Sequence, residues 1–391
     1  MKKQILMKVF TPSGEFIDAW TDAKFVSFQK EINSGLGECV IEIGRQFDAI
    51  GRDIALNNKV EIFVSDKQTV LETEGIRKIY SGYISNIQPN LSGSQERLFI
   101  TLLGYYTKLS LDILKNGTQT TLYTEASAGL STSSPSAAAD IGLVVRAIMA
   151  RYVAETVSSE VSYNSASVPD VGDNINFTFE QKTYREAIEK AKMSAPSGYY
   201  YFFDEKNVLN FKVKSTTADH KFIFGKHFSS LRIERSMEKV RNFMLIWNGD
   251  TVYEHYEDAG SIAVYGRRVE RLIDYGIEDS ATADLIGTKF IAENKDPDVR
   301  IICEIMDNNN EDNRGYNIES INPGDTCSFL NFSSSLNDFL KENMLITKVV
   351  YYLDKIELTV ENVRTGLVDI QEKTKKNVDD LSTAGSPATY S

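Results

Sequence analysis

The chain has 391 residues, with 43 Lys+Arg against 55 Asp+Glu, giving a formal net charge of −12. Such a surplus of carboxylates excludes a protein that holds nucleic acid through bulk phosphate neutralisation. A hydrophobic share of 42% excludes disorder for most of the chain, and at ~100–200 residues per domain the length implies two to four domains.

The chain opens with Met1-Lys2-Lys3 and a short apolar run, Ile5-Leu6-Met7, that Lys8 interrupts. That run falls well short of the ~7–15 apolar residues a signal peptide needs. No stretch reaches the ~18 apolar residues of a membrane span. The expectation is a protein made in the cytosol that leaves it, if at all, without a signal peptide.

To about residue 110 the dominant period is two. Ile5–Phe10, a Pro12-Ser13-Gly14 turn and Lys24–Phe28 are followed by Lys59–Val64, Ile79–Ile87 and Arg97–Leu102. Each alternates or runs apolar as a half-buried strand does. Gly82 sits inside the longest of them, where a bend or a close backbone approach belongs. An antiparallel sheet or barrel is the economical reading.

Residues 111–227 read as a small α+β insert. Gly117–Ala139 is rich in Ser, Thr, Ala and Gly and reads as an exposed loop. Asp140 then stands as an N-cap before Ile141, Val144, Val145, Ile148, Met149 and Tyr152 at helical spacing. Thr183-Tyr184-Arg185-Glu186 forms a capping box for a second helix that Pro196-Ser197-Gly198 stops. A hairpin follows, from Tyr199–Phe203 through Asp204–Asn207 to Val208–Val213.

From 228 to 365 strands return at Ser230–Glu234, Asn242–Trp247 and Val299–Ile305, around one helix near Ala281–Ala292. The late segments Thr326–Leu330, Leu345–Val350 and Lys355–Val360 repeat the order of Lys59–Val64, Ile79–Ile87 and Arg97–Leu102. Asn57-Asn58 and Asn322-Pro323-Gly324-Asp325 supply the turn before each set. An unrelated β-meander and an internal duplication both account for this echo at the level of spacing.

Catalytic chemistry finds no constellation. Cys39, Cys303 and Cys327 are odd in number and far apart, which fits a reducing compartment and neither a disulfide framework nor a CxxC metal site. His220, His227 and His255 form no metal motif, and His255-Tyr256-Glu257 lacks the P-C-x-x-C of a zinc deaminase. Asp307, Asn309 and Glu311 sit at the first, third and fifth places of a calcium loop. Asp312 replaces its glycine and Ile318 its final glutamate, so a solvated loop is expected. The four Asn-x-Ser/Thr triplets, at Asn90, Asn116, Asn176 and Asn331, are accounted for by chance in a chain rich in these residues. No catalytic, cofactor or metal residue is therefore assigned. Residues 366–391 read as a polar tail. Leu367, Ile370, Thr374, Val378 and Leu381 lie near heptad spacing for about two heptads only, below the ~3–4 of a convincing coiled coil.

Several dispersed segments carry a resemblance. They are Ile79–Ile84 with Leu102–Tyr105, Tyr184–Ile188 with the Gly198–Phe211 hairpin, Arg235–Asn242, Val264–Arg268 and Ile321–Thr326. In this order, over residues about 1–365, the chain resembles the baseplate-hub and tail-tip proteins of tailed bacteriophages and related contractile injection systems. The resemblance implies a mainly β fold, with two tail-tube-like β-barrels at 1–110 and 228–365 flanking the insert. It implies a homotrimer forming a pseudo-six-fold ring at the distal end of a tail, joined to the tail tube or distal tail protein and to a tip spike, fibre or tape-measure protein. DNA would pass through without specific binding, and the protein would be assembled in the host cytoplasm. The alternative is a glycan-binding or glycan-cleaving β-protein, with Tyr199, Tyr200 and Tyr201 and the acids Asp250, Glu254 and Asp258 as its site.

Overall fold

The computed structural model describes residues 4–43, 54–65, 76–92, 95–114, 139–156, 160–177, 179, 182–307, 316–332 and 343–361. The Ser/Thr-rich loop up to 138, the calcium-like loop beyond Asp307 and the heptad-like tail lie outside the described residues.

Seven strands come first: β1 (Gln4–Phe10), β2 (Phe16–Trp20), β3 (Ala23–Glu31), β4 (Leu36–Ile43), β5 (Lys59–Ser65), β6 (Ile76–Ser92) and β7 (Gln95–Gly104). In β4 the alternation is plain, with Cys39, Ile41 and Ile43 inward and Glu38, Val40 and Glu42 on the other face. The insert holds β8 (Ala139–Asp140), α1 (Ile141–Glu155), β9 (Asn174–Ile175), α2 (Tyr184–Ser194), β10 (Tyr199–Phe203) and β11 (Leu209–Val213). Both expected helix starts are present. Asp140 accepts from the amides of Gly142 and Leu143, and Thr183 and Glu186 form the reciprocal box.

The remaining elements are β12 (His220–Ile223), β13 (Leu231–Ser236), β14 (Phe243–Trp247), β15 (Tyr253–Glu257), α3 (Ala259–Tyr265), β16 (Val269–Ile273), α4 (Ser280–Asn294), β17 (Asp298–Met306), β18 (Thr326–Leu330), β19 (Met344–Tyr351) and β20 (Lys355–Glu361). The helix α3 and the strands β15 and β16 have no counterpart in the sequence reading. They form a small sheet in which β14 runs antiparallel to β15 and parallel to β16.

The fold is mainly β with an α+β insert. Both strand-rich regions belong to one 13-stranded sheet, in the order β13-β17-β20-β19-β3-β4-β7-β6-β5-β1-β2, with β18 on β19 and β12 on β18. No closed barrel forms among the described residues, and β3 of the first region pairs with β19 of the second.

Two large cores result. One lies under the long sheet and joins Met7, Trp20, Ile41, Tyr80 and Leu102 to Phe222, Ile301, Val349 and Leu358. The other joins α1, α2, β10 and β11 to Met244, Ile246, Ile286 and Phe290. The segment between β13 and β17 thus packs with the insert. Each such side chain contributes about 1.5–3 kcal/mol on burial, more than the ~1 kcal/mol net of a hydrogen bond, so alternation rather than pairing decides which face turns inward.

Candidate functional site

The sheet contains one five-stranded unit twice. The first unit runs β3-β4-β7-β6-β5 and the second β13-β17-β20-β19-β18, with every neighbour antiparallel. Registers match across β4-β7-β6 and β17-β20-β19, whereas β3–β4 slips twice where β13–β17 does not. In the first unit the β6–β7 ladder slips between Ile84 and Asn86, and in the second β19–β20 slips between Ile346 and Lys348. The residue at each slip, Ser85 or Thr347, donates its hydroxyl to the carbonyl of Thr101 or Thr359, at 3.0 and 3.2 Å.

The equivalence reaches the turns and the surface. Asn57 and Gly324 both adopt positive φ, 68° and 95°, and their amides donate to Ile84 and Ile346 at 2.8 Å. Ile84 and Ile346 donate back to Asn58 and Asp325. Arg97 pairs with Glu42 at 3.0 Å, and Lys355, its counterpart, pairs with Glu304 at 3.1 Å. An unrelated meander would share strand order but not bulge, cap and cross-strand pair together. The units part company in their outer strands and in their turns. β1 runs antiparallel on β5 whereas β12 runs parallel on β18. Four residues, 32–35, link β3 to β4 where residues 237–297 separate β13 from β17.

The two units meet at a seam where β19 pairs antiparallel with β3. Lys348 lies opposite Glu31, Val349 opposite Lys30, Val350 opposite Gln29 and Tyr351 opposite Phe28. Ile32 extends the ladder by donating to the carbonyl of Thr347 at 3.0 Å. Tyr351 donates its hydroxyl to the carbonyl of Ile321. Lys30 lies over the Phe28 and Tyr351 rings and reaches Asn322 Oδ1 at 3.3 Å and Glu205 at 3.8 Å. Burial lowers its pKa, opposed by the carboxylates of Glu205, Asp204 and Asp325. A cleft of about 310 Å³ opens beside it, with Arg77, Glu319 and Tyr352 on its walls.

The residues of the glycan reading do not assemble. Tyr200 is buried and donates to the carbonyl of Gly324 at 2.9 Å, tying the insert to the second unit. Tyr201 is buried against Glu189, and Tyr199 packs on Phe211. Asp258 caps α3 through the amide of Ser261 and pairs with Lys295 at 2.9 Å. This lysine bond holds its carboxyl below the usual range. Asp250 and Glu254 lie at the far end of the β14–β15 hairpin from Asp258.

The histidines are structural in their surroundings. His220 bridges Tyr316 and Asp325 at 3.1 and 3.0 Å, bracing the Pro-Gly-Asp turn. His227 accepts from the amide of Ile223, and burial lowers its pKa. His255 lies on the exposed face of β15 against Phe243. Burial raises the three cysteine thiols, which leaves them protonated and inert. No group of three or more His, Cys, Asp or Glu that could hold a metal occurs among the described residues. No described helix is long and apolar enough to cross a membrane.

No family model matches the sequence, and no curated protein matches it. Among solved structures the fold is similar to the 43 kDa tail protein of prophage MuSo2 from Shewanella oneidensis, with TM-score 0.59 and 12% identity over 93% of this chain and 98% of that one. It is likewise similar to a tail protein from Neisseria meningitidis, with TM-score 0.59 and 8% identity over 93% and 97% of the two chains. A prophage tail protein from Listeria monocytogenes matches with TM-score 0.53 and 9% identity over 96% and 99%. The chain therefore has the fold of these phage tail proteins along nearly its whole length.

Proposed function

We propose that the protein is a structural hub of a phage tail, with no catalytic role. Copies close into a ring at the distal end of the tail, where three copies present six like units to a six-fold tube and a three-fold face to a spike or fibre. The observation that carries this reading is the duplicated unit, matched in register, bulge and cross-strand pair. A rotationally closed assembly is built from repeated interfaces, and a subunit with two similar units presents twice as many equivalent surfaces as there are copies. The fold shared with three phage tail proteins points the same way.

Its partners are itself, the tail tube or distal tail protein, and a tip spike, fibre or tape-measure protein, and its place is the virion, after assembly in the host cytoplasm. The charge supports a conduit. Three copies at −12 each repel a phosphate backbone, so DNA slides through without being held. The test is the mass of the purified chain in solution together with a negative-stain image. Three copies in a closed ring support the hub. A monomer at every concentration and ionic strength tried rejects it.

A further inference from the structure

The seam has a vacant counterpart. In the second unit β19 carries β20 on one side, and on the other side it carries first β18 and then β3. Its equivalent, β6, carries β7 on one side and β5 on the other, but the pairing with β5 ends at Tyr83, with Asn57 and Asn58 holding Ile84. Residues 85–92 of β6 therefore leave open, among the described residues, the edge that β3 fills on β19. The equivalent of β3 is β13, whose described ladder is with β17 alone. One chain thus ends in two complementary edges that match the two sides of a junction it already makes internally.

Burial marks the same positions. Phe28 and Val349, opposed to Tyr351 and Lys30 in the seam, are 3% and 0% exposed. Superposing the registers puts Ile233 in the place of Phe28 and Ile87 in the place of Val349, and both are only partly buried in the isolated chain. Apolar side chains at equivalent places on one framework are fully buried where the junction is made and only partly buried where it is not.

We infer that β13 of one copy pairs antiparallel with β6 of the next in the register of the seam, setting Asn86, Ile87, Gln88 and Pro89 opposite Ser236, Arg235, Glu234 and Ile233 of the neighbouring copy. This rests on the ring reading above and names the surface that closes it. Backbone groups of the two edges supply the ladder, and Ile87 and Ile233 supply the buried contact. The amide of Met237 takes the place of Ile32 and donates to the carbonyl of Ser85. Pro89 brings no donor, and it stands where the seam's own ladder ends, at the Tyr351–Phe28 pair. Charges at Arg232, Glu234 and Arg235 and the proline guard both edges against indiscriminate strand addition.

The experiment uses the full chain carrying Gln88→Cys and Glu234→Cys, positions on the face of the sheet away from the core. The native cysteines are buried and do not compete. Mild oxidation is expected to give covalent oligomers on a non-reducing gel that collapse to monomer with reductant. The control pair Gln88→Cys and Arg232→Cys, two residues along β13 on the same face, is expected to stay monomeric on the gel. Hydrogen exchange on the unmodified protein provides a readout that no substitution can disturb, with the amides that the seam register turns toward the open edges, those of Ile87, Ile233 and Arg235, protected in the oligomer and exposed on dissociation. An unmodified protein of ring mass whose Ile87, Ile233 and Arg235 amides exchange freely, or a cross-link that forms in the 88/232 variant instead of the 88/234 variant, overturns the pairing and leaves the hub intact. A chain that never leaves the monomer overturns both.

Discussion

Phe28 and Tyr351 stack face to face across the seam between the two units, with centroids 4.6 Å apart and planes 8° from parallel. They come from strands more than 300 residues apart in the chain and join the two units into one core. Phe28→Ala removes a ring that is 3% exposed and is expected to cost about 3–5 kcal/mol. Tyr351→Phe keeps the stack and loses only the bond to the Ile321 carbonyl, for about 1–2 kcal/mol. Urea unfolding of both variants measures the difference, and equal losses would mean that the stack contributes little.

Asp140 ties more than its own helix. Its carboxylate accepts from Gly142 and Leu143 at the start of α1 and from Val171 and Gly172 of the following loop, at 2.7–3.3 Å. Asp140→Ala therefore loses a cap and two loop anchors together, and a loss of about 2–4 kcal/mol is expected, against ~1 kcal/mol for an ordinary cap. Asp140→Asn, which keeps one acceptor oxygen, should recover part of it. Thermal unfolding of the two variants side by side checks the order.

The glycines inside the first unit mark close backbone contact. A Cβ on Gly82 would lie 2.4 Å from the carbonyl oxygen of Leu103, and one on Gly104 would lie 1.9 Å from that of Leu36. Backbone cannot move aside as a flexible side chain can. Each alanine substitution is expected to destabilise by about 1–3 kcal/mol or more, whereas Gly287→Ala meets the ring of Tyr256 at 2.0 Å and tests repacking against α4 instead. Denaturant midpoints rank the three.

Stability should rise from neutral to mildly alkaline pH. Lys289 is 5% exposed, donates to the carbonyl of Lys192 at 2.8 Å and has its pKa lowered to about 7, first by burial and then by the charge of Lys192. In the unfolded chain its pKa returns to about 10.4, so between pH 7 and 10 the unfolded state binds the extra proton. Unfolding free energy then increases with pH, by up to about 1.4 kcal/mol per unit from this group alone. Above pH 10 the trend reverses. Burial raises the phenols of Tyr80, Tyr105 and Tyr351, and their stabilisation is lost as the unfolded chain ionises first. Lys289→Met should flatten the rise between pH 7 and 9.5 and leave the alkaline fall in place, as read from unfolding curves across that range.

What could be read in the sequence was local. The starts of α1 and α2 were visible because Asp140 and the Thr183–Glu186 box are contiguous signals, and β5, β6 and β7 because one face of each is buried. The three-strand echo was visible for the same reason. Its extension to five strands was not, since residues 237–297 stand where the first unit has four linking residues, and β13 and β17 no longer look like neighbours. The seam was invisible because nothing near Phe28 specifies Tyr351, and register between distant strands leaves no period in either one. The short helix α3 buries only Ser261 fully, so it has no apolar stripe to announce it. The Tyr199–Tyr201 run, the site of the alternative glycan reading, lies in a strand in which the hydroxyls of Tyr200 and Tyr201 serve Gly324 and Glu189.

The central claim is that two like units in one chain build a closed ring. Native mass measurement of the purified full-length protein, across concentration and salt, tests it most directly. A single species of three copies, seen as a six-lobed ring by negative stain, is the predicted result. A stable monomer, or an even-numbered assembly without a central opening, would contradict it.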